Sequence, residues 1–239
     1  YIFSSKDLCL IKEIPEIIEM GIDSLKIEGR LKTEYYLASV VNAYRNAIDD
    51  YMKDTKNYDA TKYLKELEKT KTRGLTTFYF NDRNNKDSQE YEGKQYNPNY
   101  EFGGKVLVNN IKKDEIMIKK ENITKQENIT KQEKKEENNE NSENKENSKN
   151  TENNVKEGIV FSNKNQICLV EIRNKLTVGD KMEILIPNQI ETVPFQIEKL
   201  WDTETREEIS TVNPGKAGQT VLMPLPIQAE KGWILRRGK

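Results

Sequence analysis

The sequence predicts an α/β unit followed by an all-β unit, the first made of parallel βα repeats and the second a small closed β-barrel. Three observations predict this. Residues 1–80 alternate short strand-like runs with helical patterns joined by short links, which argues for parallel βα units. Residues 100–239 hold many short alternating or apolar runs punctuated by Gly, Asn and Pro, with no helix between them. Between those runs, residues 121–154 carry 10 Asn, 9 Glu and 6 Lys and only Ile123 and Ile129 as apolar residues, too little apolar surface to offset chain entropy.

Tyr1-Ile2-Phe3 reads as the end of a strand. The chain starts without methionine and is expected to be a C-terminal fragment of a larger protein. Residues 5–21 read as a broken helix in which Pro15 opens the second part, Ile14, Ile17 and Ile18 form the buried stripe, and Gly21 closes it. Residues 22–28 read as a strand. Its alternation sends Leu25 and Ile27 one way and Ser24, Lys26 and Glu28 the other. The charged face meets either a polar cavity or solvent, and the pattern leaves both open. Thr33 then caps a long helix to about Lys53, with Tyr36, Val40, Ala43, Tyr44, Ala47, Ile48 and Tyr51 at helical spacing.

A further helix is expected over Ala60–Lys71, and an extended run over Thr76–Phe80. Residues 81–99 read as a linker. Strands are expected over Phe102–Val108, Glu115–Lys119, Gly158–Ser162, Ile167–Arg173, Lys181–Ile186, Thr192–Leu200, Gln219–Met223 and Trp233–Leu235, with residues 121–154 as a disordered insertion in a hairpin loop. Asn-Ile-Thr-Lys-Gln-Glu occurs twice in tandem, at 122–127 and 128–133.

Composition excludes several functions. The sequence contains no histidine, so neither a histidine-based triad nor an H-E-x-x-H zinc site lies wholly within it. Only Cys9 and Cys168 are present. They form neither a disulfide framework nor a zinc spacing, and a reducing cytoplasm fits best. Lys and Arg number 39 against 40 Asp and Glu, so no global field selects nucleic acid, DNA included, or a membrane surface. No run is long and apolar enough to span a bilayer.

The runs Asp7-Leu8-Cys9-Leu10-Ile11, Asp23-Ser24-Leu25-Lys26-Ile27-Glu28-Gly29-Arg30-Leu31-Lys32 and Tyr35-Tyr36 resemble the collagenase-like peptidase family U32. Val170–Lys175, Val178-Gly179-Asp180 and Pro226…Leu235-Arg236-Arg237 resemble that family's C-terminal β-barrel domain. The resemblance implies the last βα units of a TIM-type barrel, followed by a barrel similar to domain II of translation elongation factors. It implies an active site at the barrel mouth, with Glu28 as proton acceptor or ligand-orienting group beside Lys26. Arg30, Lys32, Ser5 and Asp7 would bind substrate, with Ser4 and Lys6 alongside.

The resemblance also implies tRNA as partner, through wobble-uridine 5-hydroxylation in a prephenate-dependent route. Lys231, Arg236, Arg237 and Lys239 would then contact RNA. Charged residues make up 33% of the chain, so those terminal cations fit an ordinary solvated surface as well. A collagenase-like protease and a non-catalytic RNA- or protein-binding fragment remain as alternatives. The family's cysteine-rich signature lies upstream of these residues, so the expectation is no metal and no cofactor within this fragment, and an iron–sulfur cluster in the full-length protein held by upstream cysteines. Relatives carry glycine in a Thr-Thr-Gly-Phe-Tyr-Phe run where this chain reads Thr76-Thr77-Phe78-Tyr79-Phe80.

Overall fold

The computed structural model describes residues 5–70, 73–81, 88–91, 99–109, 111, 166–215 and 218–238. The expected strands at Glu115–Lys119 and Gly158–Ser162, the insertion at 121–154, Tyr1–Ser4 and Lys239 lie outside the described residues, as does most of the expected linker.

The first unit holds β1 (Asp7–Leu8), α1 (Ile14–Glu19), α2 (Glu34–Lys53), α3 (Thr61–Leu67) and β2 (Leu75–Thr76). β1 and β2 pair in parallel, Asp7 opposite Leu75 and Leu8 opposite Thr76. α1 begins with Pro15 in its first turn, where the missing N–H removes no helical bond. Gly21 ends it at φ 73°, donating its N–H to the Ile18 carbonyl at 2.9 Å. Thr33 caps α2 by accepting from the Tyr36 N–H at 3.2 Å. α2 buries two faces. Val40, Ala43, Ala47 and Tyr51 pack with Ile11, Ile14, Tyr63 and Leu67 in the core of the first unit. Tyr35 and Ala38 face the second unit, where they pack on Phe102, Leu185 and Ile234.

Three expectations for this unit are corrected. Residues 22–29 carry strand alternation but join no ladder among the described residues; a strand needs a partner for its N–H and C=O groups. The broken helix over 5–21 starts instead with β1. The extended run at Thr76–Phe80 ends at Thr76 because Phe78 takes φ 48°, a left-handed conformation unusual for a bulky residue.

The second unit holds β3 (Tyr100–Val108), β4 (Gln166–Ile172), β5 (Leu176–Thr177), β6 (Lys181–Leu185), β7 (Val193–Gln196), β8 (Leu200–Asp202), β9 (Glu208–Ile209), β10 (Thr211–Val212), β11 (Thr220–Leu225) and β12 (Ile234–Gly238). Eight of these form one antiparallel sheet in the order β7-β6-β12-β3-β4-β11-β8-β9, and β5 pairs with β10 in a second ladder. The sheet curls round one core that includes Val106, Val170, Leu176, Ile184, Leu200, Val221 and Leu235. Each such side chain contributes about 1.5–3 kcal/mol on burial. The barrel is not closed by a ladder from β7 to β9. Instead the β5–β10 pair lies alongside, and Gly179, at φ 97°, donates its N–H to the Ile197 carbonyl at 2.8 Å. β3 runs close to its neighbours because of Gly104, where a Cβ would come within 2.6 Å of the Glu171 carbonyl oxygen.

The two units meet through polar groups as well as the Tyr35 cluster. Asn42 of α2 donates to the carbonyls of Ile186 (3.3 Å) and Gln189 (2.6 Å) and accepts from the Asn188 N–H (2.8 Å). Glu34, in the first turn of α2, pairs with Lys105 and Arg173, and Lys105 holds its carboxyl below the usual carboxylate range. Deepest is Arg236, 0% exposed. It stands directly opposite Glu183 across the β12–β6 ladder, and a bulge between Leu235 and Arg236 shifts its register with β3. Its Nε donates to Glu183 at 2.8 Å, its Nη1 and Nη2 form a fork on Glu66 of α3, and its guanidinium lies 4.8 Å from the centre of the Tyr100 ring.

Burial alone would lower the Arg236 pKa; the Glu66 carboxylate outweighs it, and the pKa is raised. Burial alone would raise the Glu183 pKa; Arg236 outweighs it, and the pKa is depressed. A depressed carboxylate stabilises the fold above its unfolded pKa, and that contribution is lost as pH falls through the folded value. Arg236→Met is therefore expected to cost about 3–5 kcal/mol at pH 7, since it strands two carboxylates. The difference from wild type should shrink as Glu183 protonates in acid. Urea titrations at pH 7 and in acid check this; equal costs at both would contradict it.

Candidate functional site

Residues 28–37 are built as a tight turn running into a capped helix. Lys32 donates its N–H to the Gly29 carbonyl at 3.0 Å. At Gly29 an added Cβ would lie 2.1 Å from Leu37 Cδ2, so a side chain there would displace Leu37. The Glu28 carboxylate accepts from the Arg30 N–H at 2.9 Å and from its Nε at 3.3 Å. Those two bonds, the backbone one first, hold its pKa below the usual range; Lys26 adds only a small charge effect. Both side chains are open, Arg30 at 89% and Glu28 at 62% exposure. Lys26 is exposed and forms no hydrogen bond or ion pair among the described residues. Glu28 is thus exposed and held toward its carboxylate form, which suits it to orient a cationic or N–H-bearing group and makes it a weaker base than a free glutamate.

The structure brings together two of the residues singled out from the sequence that lie far apart in it. Lys32 Nζ stands 3.3 Å from both Asp7 oxygens and 4.6 Å from the centre of the Tyr36 ring. Burial, then the Asp7 charge, raises the Tyr36 pKa. Asp7 sits on β1, beside β2, and the capped turn carries Lys32 across to it. Ser5 lies apart, its hydroxyl accepting from Gln89 at 3.3 Å. The Lys6 stem packs on Gly74.

At the other end of the chain, Lys231 is exposed in the turn before β12. The expected surface position of Arg236 and Arg237 is corrected. Arg236 is enclosed by two carboxylates and a ring, so a phosphate reaches it only if the interface opens. Arg237 is 24% exposed and already holds Glu101, Asp180 and the Lys175 carbonyl. Sequence reasoning missed Glu66, Glu183, Tyr35 and Tyr100 around Arg236. One weak signal was present: Glu66 adjoins the buried Tyr63 and Leu67 of α3.

Cys9 is buried, with Tyr44 donating to its sulfur at 3.9 Å and accepting from the Leu10 N–H at 2.8 Å. Burial raises the Cys9 thiol pKa. Cys168 is buried in the core of the second unit. Among the described residues no three His, Cys, Asp or Glu side chains gather as a metal site. No helix among them is long and apolar enough to cross a membrane.

Residues 1–90 match the model of Peptidase family U32, and residues 157–236 that of the Peptidase family U32 C-terminal domain. Among curated relatives, tRNA hydroxylation protein P1 of Bacillus subtilis is 42% identical over 119 residues, 49% of this chain and 28% of the relative. tRNA hydroxylation protein P of Escherichia coli is 27% identical over 236 residues, 98% of this chain and 39% of the relative. An uncharacterized protease of Methanocaldococcus jannaschii is 45% identical over 94 residues, 38% of this chain and 23% of the relative. The chain thus spans well under half the length of each. The C-terminal domain of a Geobacillus thermoleovorans protein assigned to the U32 peptidases aligns with 30% of this chain and 78% of its own length, at 25% identity and a TM-score of 0.27.

Because Glu28, Lys26 and Arg30 are exposed and support no packing, Glu28→Gln and Lys26→Met are expected to leave the urea midpoint of the chain unchanged. A midpoint shift as large as that of Arg236→Met would assign them a structural role instead.

Proposed function

Since this chain belongs to Peptidase family U32, we propose that it is the part of a tRNA-hydroxylating protein that completes the catalytic barrel and grips the RNA. The observation that carries this reading is the alignment with tRNA hydroxylation protein P of Escherichia coli, which runs through both units over 98% of the chain. The reaction read from the family resemblance is prephenate-dependent 5-hydroxylation of the wobble uridine, in the cytoplasm.

In this reading residues 5–81 are closing βα units of a TIM-type barrel. The parallel β1–β2 pair supports it, as does the run 22–29, which has strand alternation and unpaired edges. So do the exposed apolar side chains of Leu8 (57%), Ile22 (53%) and Leu25 (39%), which suit further strands and helices alongside. Lys26 and Glu28 then stand at a strand tip. Glu28 takes up a proton, Lys26 supplies positive charge near it, and Arg30, which gives its Nε to Glu28, offers its remaining guanidinium N–H groups to a carboxylate or phosphate. Asp7 and Lys32 brace each other at the adjoining tip, and Ser5 lies apart on Gln89. Lys231 is the terminal cation best placed for a phosphate.

An iron–sulfur cluster does not fit the cysteines of this chain. Cys9 and Cys168 lie in separate cores, so a cluster in the full-length protein draws its ligands from other cysteines. Proteolysis is the weaker reading, because these residues, without histidine, supply only a lysine or carboxylate base, and any other base would come from the rest of the full-length protein.

Deleting the gene and measuring tRNA nucleosides by mass spectrometry tests the proposal. The 5-hydroxyuridine-derived nucleosides are expected to fall. The wild-type full-length gene should restore them, and versions carrying Glu28→Gln or Lys26→Met should restore less than a tenth as much. An unchanged nucleoside profile on deletion would overturn it.

A further inference from the structure

A groove of about 230 Å³ runs between α2 and the second unit, away from the Lys26–Glu28 turn. One wall is Val41 and Arg45 of α2, the other is Pro187 and Asn188 of the β6–β7 turn, and Trp233 lines it beside Gly232. Both turns are fixed. Asn42 holds residues 186–189 through three hydrogen bonds. Gly232, at φ 93°, donates its N–H to the Val106 carbonyl at 2.8 Å, and Trp233 packs on the main core. The groove is therefore formed before anything enters it, which lowers the cost of binding.

Its chemistry is mixed in a particular way. Val41, although apolar, is 50% exposed, and Pro187 and Trp233 add flat apolar surface. Among the described residues, the Asn188 side-chain amide and the Trp233 indole N–H make no hydrogen bond. Arg45 uses Nε and Nη2 on Asp49 and keeps Nη1 free. Lys231 is exposed two residues from Trp233. An aromatic face, free planar donors and cations from two elements match the parts with which proteins hold an unstacked RNA base. The space suits one ring system and is too small for a helix or a strand.

The geometry points to this groove as the seat of one unstacked base of the substrate RNA, stacked on Trp233, with Arg45 and Lys231 serving the flanking phosphates. This rests on the tRNA reading above and adds to it a second contact, distinct from the reacting nucleotide.

The test uses the full-length protein and tRNA purified from the deletion strain. Val41→Glu places a negative charge on an exposed wall without entering a core. Trp233→Leu keeps an apolar side chain against the core and removes the ring. Each is expected to weaken tRNA binding about tenfold or more, with thermal unfolding unchanged for Val41→Glu. Ultraviolet crosslinking should leave a nucleotide on the peptide that contains Trp233. If Trp233→Leu fails to fold, Val41→Glu decides alone. Wild-type affinity in Val41→Glu overturns the proposal, as does a groove that crosslinks to polypeptide and carries no nucleotide. Wild-type protein that binds no tRNA overturns the tRNA reading itself, and is recognised because variants and wild type then fail alike.

Discussion

The guanidinium of Arg236 sits inside the protein between carboxylates that belong to different units. A buried cation is tolerated only with partners in good geometry. Glu183, its cross-strand neighbour, supplies one partner from within the sheet. Glu66 supplies the other from α3, 170 residues earlier in the chain. Neither unit satisfies this centre alone. Removing α3 leaves Arg236 half-paired, and removing the sheet leaves Glu66 with Lys69 as its ion partner. Lys69 reinforces the centre, 3.1 Å from Glu66 and 5.1 Å from the centre of the Tyr100 ring. The Tyr35 hydroxyl closes it by donating to the Lys69 carbonyl at 3.1 Å, and burial pushes the Tyr35 pKa up to about 12.

This centre makes the β unit part of one body with the helices rather than a module on a tether. Around it, the Tyr35–Phe102 cluster supplies apolar contact and Asn42 fixes the 186–189 turn. The Glu34–Lys105–Glu171 chain ties the start of α2 to β3 and β4. α2 is the shared element: its first turn follows directly on the Glu28–Lys32 turn, and its second face carries the sheet. On the tRNA-hydroxylation reading, this sets a fixed span between a catalytic strand tip and an RNA-holding surface. Such a span suits an enzyme that acts on one nucleotide of a large folded substrate.

Much of this was legible in the sequence, for local reasons. Thr33 and the stripe from Val40 to Tyr51 specify α2 because cap and period are properties of the segment itself. Alternating or apolar runs marked β4, β6 and β11 because these strands line the core, β11 on both faces. The run 22–28 carries the same signal, yet it lies unpaired: pattern gives a strand its faces, and only neighbours give it a ladder. Phe78 shows the opposite case, where a left-handed residue replaces the expected extended backbone. Arg236 was read as a surface cation because it sits near the end of the chain among other charges. What buries it is α3, and nothing within ten residues of Arg236 announces that. Glu66 and Glu183 each look like surface carboxylates until the long-range docking brings them together.

The central claim, that one buried ionic centre makes the two units a single cooperative body, is most directly tested by following unfolding with two probes. Trp201 and Trp233, the two tryptophans of the sequence, report on the β unit, and far-ultraviolet circular dichroism at 222 nm reports chiefly on α1–α3. The account predicts coincident urea transitions for fluorescence and dichroism in the wild-type chain. Helical signal lost at a lower urea concentration than tryptophan signal, in the wild-type chain at neutral pH, would contradict it.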